Sequence, residues 1–130
     1  MKKILITGGA GYIGSMLSTE LLKLGFKVTV IDLLKYDSSS LNHLYFEKNF
    51  KFYNEDIRKP KIIKKFIKQN EFIIPLAALV GAPLCEKYKK DAISTNLNAI
   101  KLILKYNKKN NKLIYLTSNS GYGVGEKNKF

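Results

Sequence analysis

The run Lys3-Ile4-Leu5-Ile6-Thr7, entering Gly8-Gly9-Ala10-Gly11-Tyr12-Ile13-Gly14, restricts what this chain can fold into more than any other stretch. Gly9, Gly11 and Gly14 spell G-x-G-x-x-G, and counting from Gly8 the same letters also fit G-x-x-G-x-x-G. Glycine serves such a segment because the turn is tight, the backbone must approach a pyrophosphate, and the following helix must pack near the strand. Three spaced glycines alone are a weak signal, so the flanks carry the reading. Ile4, Leu5 and Ile6 form an unbroken apolar run, as expected of a strand buried on both faces of a parallel sheet. After the turn, Ile13, Met16, Leu17, Leu21 and Leu24 recur at helical spacing, and Gly25 supplies a C-terminal stop.

A second strand, Lys27 to Ile31, ends in Asp32, which lies 18 residues beyond Gly14. That is close to the roughly 20 residues expected before the acid that binds a dinucleotide ribose. A carboxylate there accepts both ribose hydroxyls of NAD and repels the extra phosphate of NADP, so NAD is the expected cofactor. The plainer alternatives are an ordinary strand-to-helix turn for the glycines and a helix cap or solvated loop acid for Asp32.

The alternation continues. Lys51 to Asn54 reads as a third strand with Glu55-Asp56-Ile57 at its carboxyl end, the end that faces ligand in open α/β sheets. Pro60 suits the first turn of a helix reaching Asn70, with Ile62, Ile63, Phe66 and Ile67 on its apolar side. A fourth strand is predicted over residues 71–77, with Pro75 awkward inside it and better placed at its end. A helix is predicted from about Asp91 to Tyr106, with Asn96 well inside its pattern, and a fifth strand from Leu113 to Thr117. Residues 33–49 lack a period and are expected to be poorly ordered, apart from a helix cap offered by Asp37-Ser38-Ser39-Ser40. The class is therefore α/β with a parallel sheet, and right-handed crossovers give the strand order 3-2-1-4-5.

Composition excludes some functions. The formal charge of +13 could suggest nucleic acid, but it comes from lysines scattered along every predicted helix, while Arg58 is the sole guanidinium. Base-edge and bidentate phosphate contacts favour arginine, so no nucleic-acid partner is expected. No apolar run approaches 18 residues and no signal-peptide pattern is present, which implies no membrane and a cytoplasmic location. Cys85 stands alone, so neither a disulfide within the chain nor a cysteine metal site can form, and no metal is expected. His43 is likewise isolated in a polar stretch.

Four segments together resemble the N-terminal part of the extended short-chain dehydrogenase/reductase family, the NAD-dependent epimerase/dehydratase group acting on nucleotide sugars. They are Thr7 to Gly14; Asp56-Ile57-Arg58; Leu76-Ala77-Ala78; and Thr117-Ser118-Asn119-Ser120-Gly121-Tyr122-Gly123. The resemblance implies a Rossmann-type, doubly wound sheet with NAD as cofactor. It implies that Gly8, Gly11, Tyr12, Ile13 and Gly14 hold the pyrophosphate, Asp32 the adenosine ribose, and Asp56 and Ile57 the adenine. Leu76, Ala77 and Ala78 would line the nicotinamide side, Asn96 would steady the loop around the cofactor, and Ser118 would be the catalytic hydroxyl that bonds the substrate oxygen. Read as residues alone, Asp56 is also a capping acid ahead of Pro60, Asn96 a bonder of backbone, and Ser118 a turn former at a strand end.

The departure from the family is a missing Tyr-x-x-x-Lys pair, in which the ammonium lowers the phenol pKa for acid–base work. Four positions after the eight tyrosines stand Met16, Ser40, Asn49, Ile57, Ala92, Asn110, Asn119 and Glu126, and none is lysine. The expectation is thus a single, incomplete NAD-binding domain over residues 1–130, truncated before its C-terminal strands and substrate domain. It would bind cofactor and be inactive alone. The open sheet edge beside the fifth strand would invite a homodimer. Ser118-Asn119-Ser120 lacks the Thr-Asp-Glu of the 4,6-dehydratases, which favours an epimerase, decarboxylase or reductase parent acting through a keto intermediate of a nucleotide sugar. The alternative is a non-catalytic dinucleotide-binding or redox-sensing module.

Overall fold

Strands with apolar side chains on both faces need cover on both, and the chain supplies it by laying its first helix on one face of the sheet and later helices on the other. In the computed structural model, which describes residues 1–118, the elements run β1 (Lys3–Thr7), α1 (Tyr12–Lys23), β2 (Lys27–Asp32), a 3-10 turn (Asn42–Leu44), β3 (Phe50–Asn54), α2 (Pro60–Gln69) and β4 (Phe72–Pro75). Then follow α3 (Ala82–Lys87), α4 (Lys89–Ala92), a π-helical segment (Ile93–Asn98), α5 (Ala99–Tyr106) and β5 (Lys112–Leu113). The five strands are parallel in the order β3-β2-β1-β4-β5, the arrangement read from the sequence.

The pleat sorts the core into two layers. Ile4, Ile6, Val28, Val30 and Ile74 point to the face covered by α1 through Leu17 and Leu21. Leu5, Ile31 and Ile73, one residue out of phase, meet Ile63, Phe66 and Ile67 of α2 and Ala99 and Ile103 of α5. Two-residue alternation in the strands and the helical period of α1, α2 and α5 thereby define a doubly wound sandwich. Gly25, at φ +81°, ends α1, with its N–H donating to Leu22 O and that of Phe26 to Leu21 O. A left-handed residue closing the last turn in this way lets β2 start two residues later.

Three expectations are corrected. Residues 33–49 are not loose: Leu41 and Leu44 are 2% and 3% exposed in the first core layer. Ser40 Oγ donates to Ala10 O at 2.8 Å, and His43 Nε2 lies 2.9 Å from Thr19 Oγ1. The helix expected from about Asp91 to Tyr106 runs from Lys89 to Tyr106 but is π-helical over Ile93–Asn98, and a separate short helix, α3, precedes it across the non-helical Tyr88. The fifth strand is shorter than expected, and Pro75 explains it. Ile114 N–H donates to Ile73 O at 2.9 Å, and the next ladder bond on that side would require an N–H at residue 75, which proline lacks. Pro75 itself is the last residue of β4, in register with Thr7.

One ion-pair network ties the loop after β3 to the helical run after β4. Arg58 Nη2 is 2.7 Å from Asp56 Oδ2, and Arg58 Nη1 is 3.0 Å from Asp91 Oδ1 and 3.3 Å from Ser94 Oγ. Hydrogen bonding from Arg58, assisted by its charge, holds the Asp56 carboxyl below the usual carboxylate range, while partial burial opposes the shift.

Two outcomes are expected. Leu44→Ala should cost about 2–5 kcal/mol in urea unfolding, the range for a buried leucine; a loss below about 0.5 kcal/mol, typical of surface sites, would remove residues 33–49 from the core. Asp56 has a folded pKa below its unfolded value of 3.8, so its contribution is fully present above that value and disappears as pH falls through the folded one. The stability gap between wild type and Asp56→Asn should therefore be constant from about pH 7 to pH 5 and close in stronger acid. A gap unchanged to about pH 2 would contradict the ion pair.

Candidate functional site

All parallel strands deliver their carboxyl ends to one edge of the sheet, and the loops there enclose a cleft of about 600 Å³. That volume is in the ordinary range for a small-ligand site. The first wall is the turn after β1. Gly8 adopts φ +72°, and a Cβ there would stand 2.4 Å from Ala77 N, so this position accepts glycine on two grounds. A Cβ on Gly14 would lie 2.5 Å from Gly9 Cα, which is why the helix can begin directly on the turn. Gly11 differs. A Cβ there would meet only Gly8 O, at 3.3 Å, so protein packing alone does not demand glycine, and the position fronts the cleft.

Gly11 is also the N-cap of α1, with no side-chain cap and no acid in the first turn. The first N–H groups of a helix have no acceptor within it, and the aligned peptide dipoles add positive potential there. Tyr12, Ile13 and Gly14 thus present backbone donors at the cleft, the arrangement that binds phosphate oxygens. An anionic dinucleotide fits this cradle, which is bare at Gly11 and rich in donors.

Asp32 closes the far side of the turn. Its Oδ2 accepts Ala10 N–H at 3.0 Å and its Oδ1 accepts Leu34 N–H at 2.8 Å. Each oxygen keeps acceptor capacity, because a carboxylate offers about four lone-pair sites and two are used. Leu34 is the one non-glycine residue with positive φ, at 54°, among those described, and the bend turns Lys35 and Tyr36 toward the cleft lining. At the rim, Asp37 Oδ1 accepts from Ser39 N–H and Oγ, both at 2.7 Å, which lowers its pKa.

The opposite wall comes from β3, β4 and the π segment. Asp56 and the buried Ile57 follow β3; Leu76, Ala77 and Ala78 follow β4. Asn96 reaches back to the loop after β4, where its Oδ1 accepts Leu79 N–H at 2.8 Å and its Nδ2 donates to Leu79 O at 2.9 Å. That amide satisfies both polar groups of one loop residue, so it fixes the loop without occupying the cleft.

Gly8, Gly11, Tyr12, Ile13, Gly14, Asp32, Asp56, Ile57, Leu76, Ala77, Ala78 and Asn96 all line this single cleft. Ser118 does not; it is exposed, two residues beyond Leu116, the last lining residue among those described. Asn119, Ser120, Gly121, Tyr122 and Gly123 lie outside the described residues. Sequence reasoning missed Lys35, Tyr36, Thr95 and Tyr115 in the lining, and gave Arg58 no role although its triplet was noted. The first two lie three and four residues beyond the end of β2, a region that signals ligand contact in such sheets. No cluster of metal-ligating side chains occurs among the described residues, and no helix there is long and apolar enough to cross a membrane.

Comparison with known proteins agrees with this architecture. A UDP-N-acetyl-alpha-D-glucosaminuronate decarboxylase of Bacillus cytotoxicus is 32% identical over 125 residues, covering 95% of this chain and 39% of its own length. A UDP-glucose 4-epimerase of Bacillus subtilis is 32% identical over 134 residues, covering 95% and 38%. Among solved structures, the epimerase Mth375 of Methanothermobacter thermautotrophicus superposes with a TM-score of 0.86 at 27% identity, covering 99% of this chain and 39% of its own. The UDP-glucose 4-epimerase of Bifidobacterium longum, solved in complex with NAD+ and UDP, gives 0.81 at 25% identity, covering 94% and 38%. The chain therefore spans about two fifths of the length of these relatives. The model of the NAD dependent epimerase/dehydratase family matches residues 4–129, and this chain belongs to that family.

Proposed function

We propose that this chain forms the NAD(H)-binding part of a nucleotide-sugar epimerase or oxidoreductase, working in the cytoplasm on a sugar carbon through a keto intermediate. The observation that carries the reading is the convergence of the glycine turn, the ends of β2, β3 and β4 and the π segment on one cleft built around a bare Gly11 and an uncapped α1. Backbone N–H groups of Tyr12, Ile13 and Gly14 would hold the pyrophosphate, and Asp32 the adenosine ribose. Asp56 and Ile57 would meet the adenine, with Leu76, Ala77 and Ala78 beside the nicotinamide and Asn96 holding their loop. Bound NAD supplies the hydride acceptor. Around it, Ile57, Ala77 and Ile100 would offer an apolar lining, and Ser118, placed beyond that lining, would donate a hydrogen bond to the substrate oxygen.

Proton transfer is the step this polypeptide does not furnish by the family's usual pair, since no tyrosine of its sequence is followed by lysine at the fourth position. General acid–base help contributes about 10²–10⁴-fold, so binding without turnover is expected of the 130-residue chain. The second reading is a dinucleotide-binding or redox-sensing module without catalysis, which the same cleft of backbone donors and carboxylates would equally serve.

Titration with NADH, followed by its fluorescence, should show saturable binding, and NADPH should bind at least about tenfold more weakly because Asp32 opposes the added phosphate. Asp32→Ala should weaken NADH about tenfold or more, the cost of a lost charged hydrogen bond. No binding at millimolar NADH would refute both dinucleotide readings, and interconversion of UDP-glucose and UDP-galactose by this chain alone would refute the claim of missing acid–base chemistry.

A further inference from the structure

Arg58 is the sole arginine of a chain rich in lysine, and it bridges the loop after β3 and the helical run after β4, both of which contribute residues to the cleft lining. Toward β3 it grips one carboxylate from the side. The Arg58 N–H donates to Asp56 Oδ1 at 2.9 Å, Nε to Oδ1 and Oδ2 at 3.0 Å each, and Nη2 to Oδ2 at 2.7 Å. Toward the helical run, Nη1 donates to Asp91 Oδ1 at 3.0 Å and to Ser94 Oγ at 3.3 Å. Ser94 Oγ in turn donates to Asp91 O at 3.0 Å, so the outer anchor is itself tied down. The Asp56 side chain is 17% exposed and that of Arg58 31%, so the inner pair is the more sheltered half of the bridge, Asp91 being 48% exposed.

The consequence concerns what Asp56 can still do. Arg58 supplies three donor groups to about four lone-pair sites, leaving the carboxylate roughly one, in an orientation set by the guanidinium plane. A carboxylate so held accepts a donor arriving from the cleft and rejects an acceptor. Lysine lacks the planar fork and would not fix that plane. We infer that Arg58 is the positioning residue for recognition of the base of the dinucleotide: it sets the Asp56 carboxylate as a hydrogen-bond acceptor for an exocyclic amine and braces it against the π segment that carries Asn96. This rests on the NAD-binding reading above, and the experiment separates the two.

The test compares affinities of the chain for NAD and for nicotinamide hypoxanthine dinucleotide, in which a carbonyl replaces the adenine amine, by calorimetry. Wild type should prefer NAD by about tenfold or more, the discrimination expected when a charged acceptor loses its donor. In Arg58→Gln and in Arg58→Lys, each checked for folding by circular dichroism, the preference should fall to within about twofold while both ligands still bind. A merely structural role would weaken both ligands equally and leave the ratio at the wild-type value, which would overturn the inference while leaving NAD binding intact. Equal affinities in the wild type would also overturn it, and failure of wild type to bind either dinucleotide would remove the NAD reading along with it.

Discussion

Everything at the ligand end of this molecule depends on how closely the turn after β1 can be pressed between its neighbours. Gly8 abuts the backbone of Leu76 and Ala77, Gly9 abuts the Val30 side chain, and Gly14 abuts Gly9. A single Cβ at Gly8 or Gly14 would stand under 3 Å from backbone atoms, a separation real side chains do not tolerate. Because those contacts are permitted, α1 starts against the sheet, its uncapped N-terminus faces the cleft, and Asp32 at the end of β2 reaches Ala10 N–H. The packing requirement and the chemical one coincide in the same few residues, with Gly11 the exception that packing leaves unexplained.

The second organising element is the clamp on the far wall. Asn96 and Arg58 each join a loop at a strand end to the helical run that begins at Ala82. A π-helical segment at Ile93–Asn98 is unusual, since such turns are rare and concentrate at functional sites. In this chain it carries Ser94 toward Arg58 and brings Thr95 and Asn96 into the cleft lining. The walls of the cleft are thus held by side-chain bonds to backbone and carboxylate rather than by the sheet alone.

Much of this was legible in the sequence because it follows from period and position. Ile4 to Ile6 read as a strand buried on both faces, and Ile4 and Ile6 do face one core layer while Leu5 faces the other. The strand ends read as ligand-facing, and the residues placed there, Ser118 apart, line one cleft. Illegible features depended on contacts distant in sequence. Leu41 and Leu44 lie in a stretch with no period, so their burial under the first core layer had no local signal. The early stop of β5 is written in β4, where Pro75 removes a donor, and not in the apolar run Leu113 to Leu116 itself. Arg58 stands out in the sequence as the sole guanidinium, yet nothing in its neighbours reveals Asp91, 33 residues away, as its partner.

The central claim is that the glycine turn and the ends of β2, β3 and β4 act as one binding surface for a dinucleotide. Backbone amide chemical shifts recorded as NAD is added test it most directly, because they report position as well as affinity. The amides of Gly11, Tyr12, Ile13 and Gly14 should shift most, together with those of Asp32 to Lys35 and of Asp56 and Ile57, along a single saturation curve. Shifts confined to the lysine-bearing helix surfaces, with the glycine turn unmoved, would contradict the claim: NAD would then meet this protein only as an anion meets a positively charged surface.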